Sequence, residues 1–173
     1  MAKQLRIITT GGTFDKLYDP IKGELTFQGS QLPRILSQSR CSLEIEHEGP
    51  LAIDSLFMNE TQREEVAQLC IRSPERMVVV VHGTDTMVET ANVLLKKRAE
   101  DDNHTVVFTG AMVPYSLENS DAVFNLGCAE TAVQLLEPGV YICMSGKVFQ
   151  ADKVHKDRGH GLFVGENLGD VSF

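Results

Sequence analysis

Met77-Val78-Val79-Val80-Val81 is an unbroken apolar run, four of its five residues β-branched, and it stops at His82-Gly83-Thr84-Asp85-Thr86. A run so short and so apolar is typical of a strand buried on both faces, the setting of a parallel sheet. On its C-terminal side the spacing turns helical: Met87, Ala91, Leu94 and Leu95 share one side of a helix expected over 86–99. The N-terminal side is helical too. Asn59-Glu60-Thr61-Gln62 is a variant of the capping box, with an Asn cap and Gln at the third helical position. The helix it opens carries Val66, Leu69 and Cys70 on one side.

The alternation continues outward. Leu5 to Thr9 reads as a first strand, cut off by Gly11-Gly12. Residues 14–28 show neither strand nor helix period, so a long loop with at most a turn of hairpin is expected there; loops of this length are usually functional. Leu32, Ile35 and Leu36 make one face of a short helix over 30–39, and Ser42 to His47 alternates like a strand. Downstream, a strand from Thr105 to Phe108 ends at Thr109-Gly110. A helix over 120–136 is capped by Ser120 and turns Val123, Phe124, Ala132 and Leu135 inward, and Gly139 to Met144 is the next buried strand. Strands alternating with helices predict an α/β fold of three layers, a mostly parallel sheet with helices on both faces in the flavodoxin or Rossmann manner. After Met144 the periodicity fades. The domain is expected to span residues 1–158, with 159–173 a glycine-bearing tail that holds no strong element.

Size and charge restrict the function. The 173 residues suit one domain with a real core. A net charge of -8 argues against nucleic acid or an anionic membrane as partner, since both recruit clustered Lys and Arg. No segment approaches the roughly 18 apolar residues of a membrane span, and the first apolar run is too short for a signal-peptide core. Cys41, Cys70, Cys128 and Cys143 lie in apolar segments without Cys-x-x-Cys spacing, which suits free thiols in a reducing cytoplasm. His155 and His160 stand five apart in a loop with no helix to align them, so no metal is expected.

In an open α/β sheet, ligands bind at the carboxyl ends of the strands. Two threonine loops fall there: Thr10-Gly11-Gly12-Thr13 and His82-Gly83-Thr84-Asp85-Thr86. The first can be merely a tight turn. It can equally present Thr13 as a nucleophile beside open backbone N–H groups, provided a base activates it. Phosphate-loop and dinucleotide fingerprints are both absent. Asp85 can cap the following helix or anchor a cation, whether a substrate ammonium or a lysine. Lys156, in the loop after the last strand, is the first choice for that lysine and Lys153 its competitor; buried against Thr84, it can relay protons. His82 reads as structural. Asp54-Ser55 and Thr109-Gly110-Ala111-Met112 with Pro114 can reach the same rim, where Ser55 would orient a small carboxylate.

Together these segments resemble the bacterial-type L-asparaginase family, the threonine amidohydrolases. The resemblance runs through Thr10-Gly11-Gly12-Thr13, Asp54-Ser55 with Met58, His82 to Met87, Thr109 to Met112, Ser120-Asp121-Ala122 and Asn125-Leu126, over roughly residues 5–160. It implies the fold of that family's N-terminal domain and hydrolysis of the side-chain amide of asparagine, glutamine or a related small amide, without metal or organic cofactor. Carried over by position, Thr13 is similar to the nucleophile that forms an acyl-enzyme. Thr84, Asp85 and Lys156 are similar to the second triad. Asp85 and Ser55 are similar to the groups that grip the two ends of the substrate, with Asp54, Gly12, Gly83 and Ala111 around them, and Tyr18 corresponds loosely to the lid-loop tyrosine. The family normally adds a second domain, and a neighbouring subunit's C-terminal domain helps close its site. A homo-oligomer is therefore expected, with a small-molecule amide as the ligand. The same resemblance leaves two alternatives open: a non-catalytic amino-acid-binding or regulatory module, and half of a split amidohydrolase.

Overall fold

The β-branched run behaves as its composition requires. In the computed structural model, which describes residues 4–170, Val78 and Val80 face one layer of helices and Val79 and Val81 the other, all four without solvent exposure. Each such side chain contributes about 1.5–3 kcal/mol of burial free energy. In chain order the elements are β1 (Leu5–Thr9), β2 (Lys16–Asp19), β3 (Glu24–Phe27), α1 (Leu32–Ser39), β4 (Ile45–Glu48), α2 (Glu60–Ile71) and β5 (Met77–Val81). Then come α3 (Met87–Lys97), β6 (Thr105–Thr109), α4 (Ala122–Leu135), β7 (Gly139–Met144), β8 (Lys147–Gln150), β9 (Val154–Asp157) and β10 (Leu162–Gly165).

Six strands form the main sheet in the order β4-β1-β5-β6-β7-β8. All neighbours are parallel except β7 and β8. One apolar cluster joins Ile8, Val78, Val80, Val106 and Phe108 to Val66, Cys70, Met87, Ala91 and Leu94 from α2 and α3. A second joins Leu5, Ile7, Val79, Val81 and Val107 to Leu32 and Ile35 of α1 and Leu126, Ala129 and Val133 of α4. This is the three-layer α/β architecture that the alternation predicts. The capping box forms as well: Gln62 N–H donates to Asn59 Oδ1 and Asn59 N–H to Gln62 Oε1, both at 2.9 Å.

Several elements depart from the sequence reading. Residues 14–28 are a single 3-10 turn (Thr13–Asp15) followed by the antiparallel hairpin β2–β3. The first sheet edge is shorter and later than expected, at Ile45–Glu48 rather than 42–47. On α4, Val123, Phe124 and Leu135 are 43%, 59% and 80% exposed and so face outward, while Ala122, Asn125, Leu126, Ala129 and Val133 face in. The reason is Asn125, itself fully buried, whose amide must reach the buried Gly110 carbonyl and the Ser145 N–H and so sets the rotation of the helix. Ser120 lies just ahead of the helix, accepting from Ala122 N–H at 3.1 Å. Finally, β8 and the pair β9–β10 lie beyond the point where the periodicity fades. Leu162–Gly165 of the supposed tail pairs with Val154–Asp157 and buries Phe163 in the first cluster.

Candidate functional site

Backbone geometry at the strand ends brings the two threonine loops into contact. Thr10 N–H donates to the Val81 carbonyl at 3.0 Å. Gly12 N–H donates to Ile53 O at 2.9 Å, and Ile53 N–H to Thr10 O at 3.1 Å. Gly12 sits at φ 71° and ψ -176°, a region open essentially to glycine alone. A Cβ there would stand 2.5 Å from Gly83 Cα; a Cβ on Gly83 would stand 2.5 Å from Ser55 Oγ. The three loops therefore approach at a distance that only bare backbone allows.

Around this contact lies a cluster of polar side chains. Lys156, on β9, donates from Nζ to Thr84 Oγ1 and to Asp85 Oδ1, each at 2.8 Å, and its side chain is only 9% exposed. Arg158 adds a hydrogen bond from Nη2 to the Asp85 carbonyl at 2.8 Å and holds Nε 3.6 Å from Asp85 Oδ1. Thr84 Oγ1 donates weakly to Met112 Sδ at 3.6 Å. Asp85 is thus engaged by cations rather than capping α3, whose Thr86 N-cap has no side-chain cap bond. The lysine that meets this loop is Lys156; Lys153 sits in the 3-10 turn Ala151–Lys153 ahead of β9. Ser55 is 1% exposed, and its Oγ has no hydrogen-bond partner among the described residues. Leaving a buried hydroxyl unpaired costs about 1–3 kcal/mol, which a ligand atom seated on it would offset. Thr13 opens its 3-10 turn half-buried, its hydroxyl free of protein partners among the described residues.

Two expected site residues take no part in these contacts. Asp54 caps the turn Ser55–Phe57 by accepting from Leu56 N–H at 3.0 Å, and it pairs with Lys16 Nζ at 2.6 Å. Burial opposes its ionisation, but the Lys16 and Leu56 hydrogen bonds outweigh that and bring its carboxyl below the usual range. Tyr18 lies on β2 opposite Leu25, 57% exposed and without a hydrogen bond among the described residues. Ala111 is buried at the rim, in a loop held by Asp121, which accepts from Met112 N–H and Val113 N–H at 2.9 Å each. Asn125 Nδ2 donates to both Asp121 Oδ2 and the Gly110 carbonyl at 2.9 Å. The Ser120-Asp121-Ala122 and Asn125 segments thus set the shape of the rim from behind.

Two residues emerge only with the fold. Lys16 ties the hairpin β2–β3 to the Asp54 turn. Arg63, in the first turn of α2, donates to Thr86 Oγ1 at 2.9 Å, Thr90 Oγ1 at 2.8 Å and the Met58 carbonyl at 3.2 Å. A signal for it exists in the sequence: it stands at helical spacing with Val66, Ala67 and Cys70, a lone cation on an otherwise apolar stripe. His82 is fully buried beside Thr90, and that burial brings its pKa down to about 4. It is a neutral structural residue. Among the described residues no cluster of His, Cys, Asp and Glu is arranged to hold a metal ion, and no helix is long and apolar enough to cross a membrane.

Comparison with known proteins identifies the family. The family described as Asparaginase, N-terminal matches residues 4–162. The L-asparaginase of Thermococcus kodakarensis is 34% identical over 98 residues, which are 56% of this chain and 30% of the relative. One of the subunits of the glutamyl-tRNA(Gln) amidotransferase of Haloquadratum walsbyi is 31% identical over 143 residues, 80% of this chain and 32% of the relative. Among solved structures, the thermostable L-asparaginase from Thermococcus kodakarensis superposes with a TM-score of 0.84 at 25% identity, covering 97% of this chain and 53% of that one. The matched segments cover about a third of the length of the curated relatives, and the superposed region about half that of the solved one.

Proposed function

Because this chain belongs to the asparaginase family through its N-terminal domain, we propose that it hydrolyses the side-chain amide of asparagine, glutamine or a related small amide through a threonine ester. Thr13 Oγ1 attacks the amide carbon. The tetrahedral oxyanion is held by backbone N–H groups of the glycine-bearing loops. Collapse expels the amide nitrogen, which leaves as ammonia after taking a proton, and an ester to Thr13 remains. Water then attacks the ester, regenerating the hydroxyl and releasing the acid. Thr84 and Lys156 move protons to and from the attacking groups, Asp85 holds Lys156, and Ser55 Oγ receives the far end of the substrate. No step needs a metal or an organic cofactor.

One observation carries the reading. Lys156 comes from β9 and meets Thr84 and Asp85 from more than 70 residues earlier, at 2.8 Å to both and with little solvent access. That is a costly arrangement to maintain for stability alone, since a surface lysine loses little by staying in water. Copies of the chain are further proposed to assemble with one another in the cytoplasm, which sedimentation of the purified protein checks; a lone monomer at working concentration removes that part. The decisive measurement is ammonia release over a panel of small amides by the wild-type chain and by Thr13→Ala and Thr84→Ala. Release that both variants abolish is expected. A folded chain releasing no ammonia from any amide overturns the reading, and saturable ligand binding without turnover would replace it with a binding module.

A further inference from the structure

The hydrogen bonds of Arg63 have a direction. A guanidinium donates and cannot accept, so the oxygens of Thr86 and Thr90 that receive its Nη1 protons must send their own protons elsewhere. Each has one short outlet: Thr86 Oγ1 to the Ser55 carbonyl at 2.9 Å, and Thr90 Oγ1 to His82 Nε2 at 2.8 Å. The alternatives for Thr90, the Thr86 carbonyl at 3.4 Å and Met58 Sδ at 3.7 Å, are longer. A ring nitrogen that accepts carries no proton, so neutral His82 is protonated on Nδ1. There it donates to the Gly83 carbonyl at 2.9 Å.

We infer that Arg63 is a positioning residue, whose guanidinium polarises two hydroxyl chains that fix the Ser55 carbonyl and the Gly83 carbonyl at once. One chain runs Arg63, Thr86, Ser55. The other runs Arg63, Thr90, His82, Gly83. Ser55 and Gly83 are the residues whose close approach joins the two loops, since a Cβ on Gly83 would overlap Ser55. One half-buried cation on α2 therefore sets both the distance and the rotation between the loop that presents Ser55 and the loop that presents Thr84. Hydrogen bonds to a charged donor are about twice as strong as neutral ones, which suits a residue that must hold two loops together from behind. Lysine is a poor replacement: it offers its donors from one nitrogen, whereas the planar fork spreads them over Thr86, Thr90 and the Met58 carbonyl. The direction of the bonds stands on geometry alone; the kinetic consequence rests on the reading that Ser55 and Thr84 flank the substrate.

The test uses the full chain, labelled with ¹⁵N, as wild type and as Arg63→Met, Arg63→Lys and Thr90→Val. Ring-nitrogen NMR of His82 is expected to show the Nδ1–H tautomer in wild type and in every variant, because the Gly83 carbonyl can only accept. The Nε2 resonance is expected to move to the position of an unbonded acceptor in Thr90→Val and part of the way there in Arg63→Met. Ammonia-release kinetics are expected to show kcat lowered by about tenfold or more in Arg63→Met, as loop misplacement predicts, with partial recovery in Arg63→Lys. Wild-type His82 protonated on Nε2 overturns the inference. So does an Arg63→Met protein of lower thermal stability whose His82 Nε2 resonance and kinetics match wild type, which would make Arg63 merely structural. Should Arg63→Met fail to fold, Thr90→Val breaks one chain and spares the other, and the same readouts apply. Absence of turnover in wild type would fault the proposed function; the His82 spectrum still decides the role of Arg63.

Discussion

Replacing Gly12 with alanine should damage the site and the fold together. The new Cβ would lie 2.5 Å from Gly83 Cα and 2.6 Å from Gly83 N. Carbon atoms rest at about 3.5–4.0 Å, so the overlap exceeds about 1 Å against backbone that cannot rotate away. At φ 71° and ψ -176° the residue also occupies territory that costs a non-glycine about 1–3 kcal/mol. Overpacking adds about 1–3 kcal/mol more. The expected loss is thus about 2–6 kcal/mol, a large share of the roughly 5–15 kcal/mol that stabilises an ordinary domain. If the loops part to relieve the clash, Thr13 and Thr84 shift by about 1 Å, a displacement that can cost about 100-fold in rate. Urea denaturation measures the first consequence and ammonia release by the folded fraction the second. A Gly12→Ala protein with wild-type unfolding free energy and wild-type turnover would show that the close approach of the two loops has been misjudged.

Other substitutions separate binding, chemistry and stability. Ser55→Ala removes a buried hydroxyl that has no partner among the described residues, so thermal stability should hold or rise slightly, while affinity for substrate falls by about tenfold; reduced stability with unchanged KM would contradict the assignment. Lys156→Met should lower kcat by about 100-fold or more, the range for a lost proton-transfer group, in a single-turnover assay; a change under about threefold would leave Lys156 outside the chemistry. For pH, His82 is neutral when folded, its pKa lowered by burial to about 4, while the unfolded chain protonates near 6.5. Its contribution is therefore complete above pH 6.5 and disappears as pH falls from there to about 4, a total of about 3 kcal/mol. Chemical denaturation at pH 7 and pH 4.5 should show a smaller acid loss in His82→Gln than in wild type; equal losses would mean the ring is already charged or accessible.

Legibility tracks the physics of each segment. The strands β1, β5, β6 and β7 are readable because burial on both faces demands near-continuous apolar runs, interrupted in β1 by Arg6, and the α2 cap because its hydrogen bonds are local. Strands β8 and β10 are not: each is short, antiparallel and partly exposed, Lys147-Val148-Phe149-Gln150 shows no alternation, and Leu162-Phe163-Val164-Gly165 lies in a glycine-bearing stretch that also suits a loop. The rotation of α4 escapes a reading that turns the largest apolar residues inward, because the buried amide of Asn125 must reach Gly110 and Ser145. Asp54 and Ser55 are neighbours in sequence with opposite fates, one tied to Lys16, the other buried without a partner among the described residues.

From residue order alone, then, come the α/β alternation, the two threonine loops at strand ends and the candidate residues within them, because periodicity and turn chemistry act over a few residues. Whether Lys156 or Lys153 meets Thr84, whether Gly12 touches Gly83, and where the guanidinium of Arg63 points are matters of contacts between residues tens of positions apart. Chain order carries no record of those distances; packing the helices against the sheet creates them. The two loops singled out by their spacing become one site only where Gly12 and Gly83, bare of side chains, let their backbones close to a distance at which a Cβ on Gly12 would stand 2.5 Å from its neighbour.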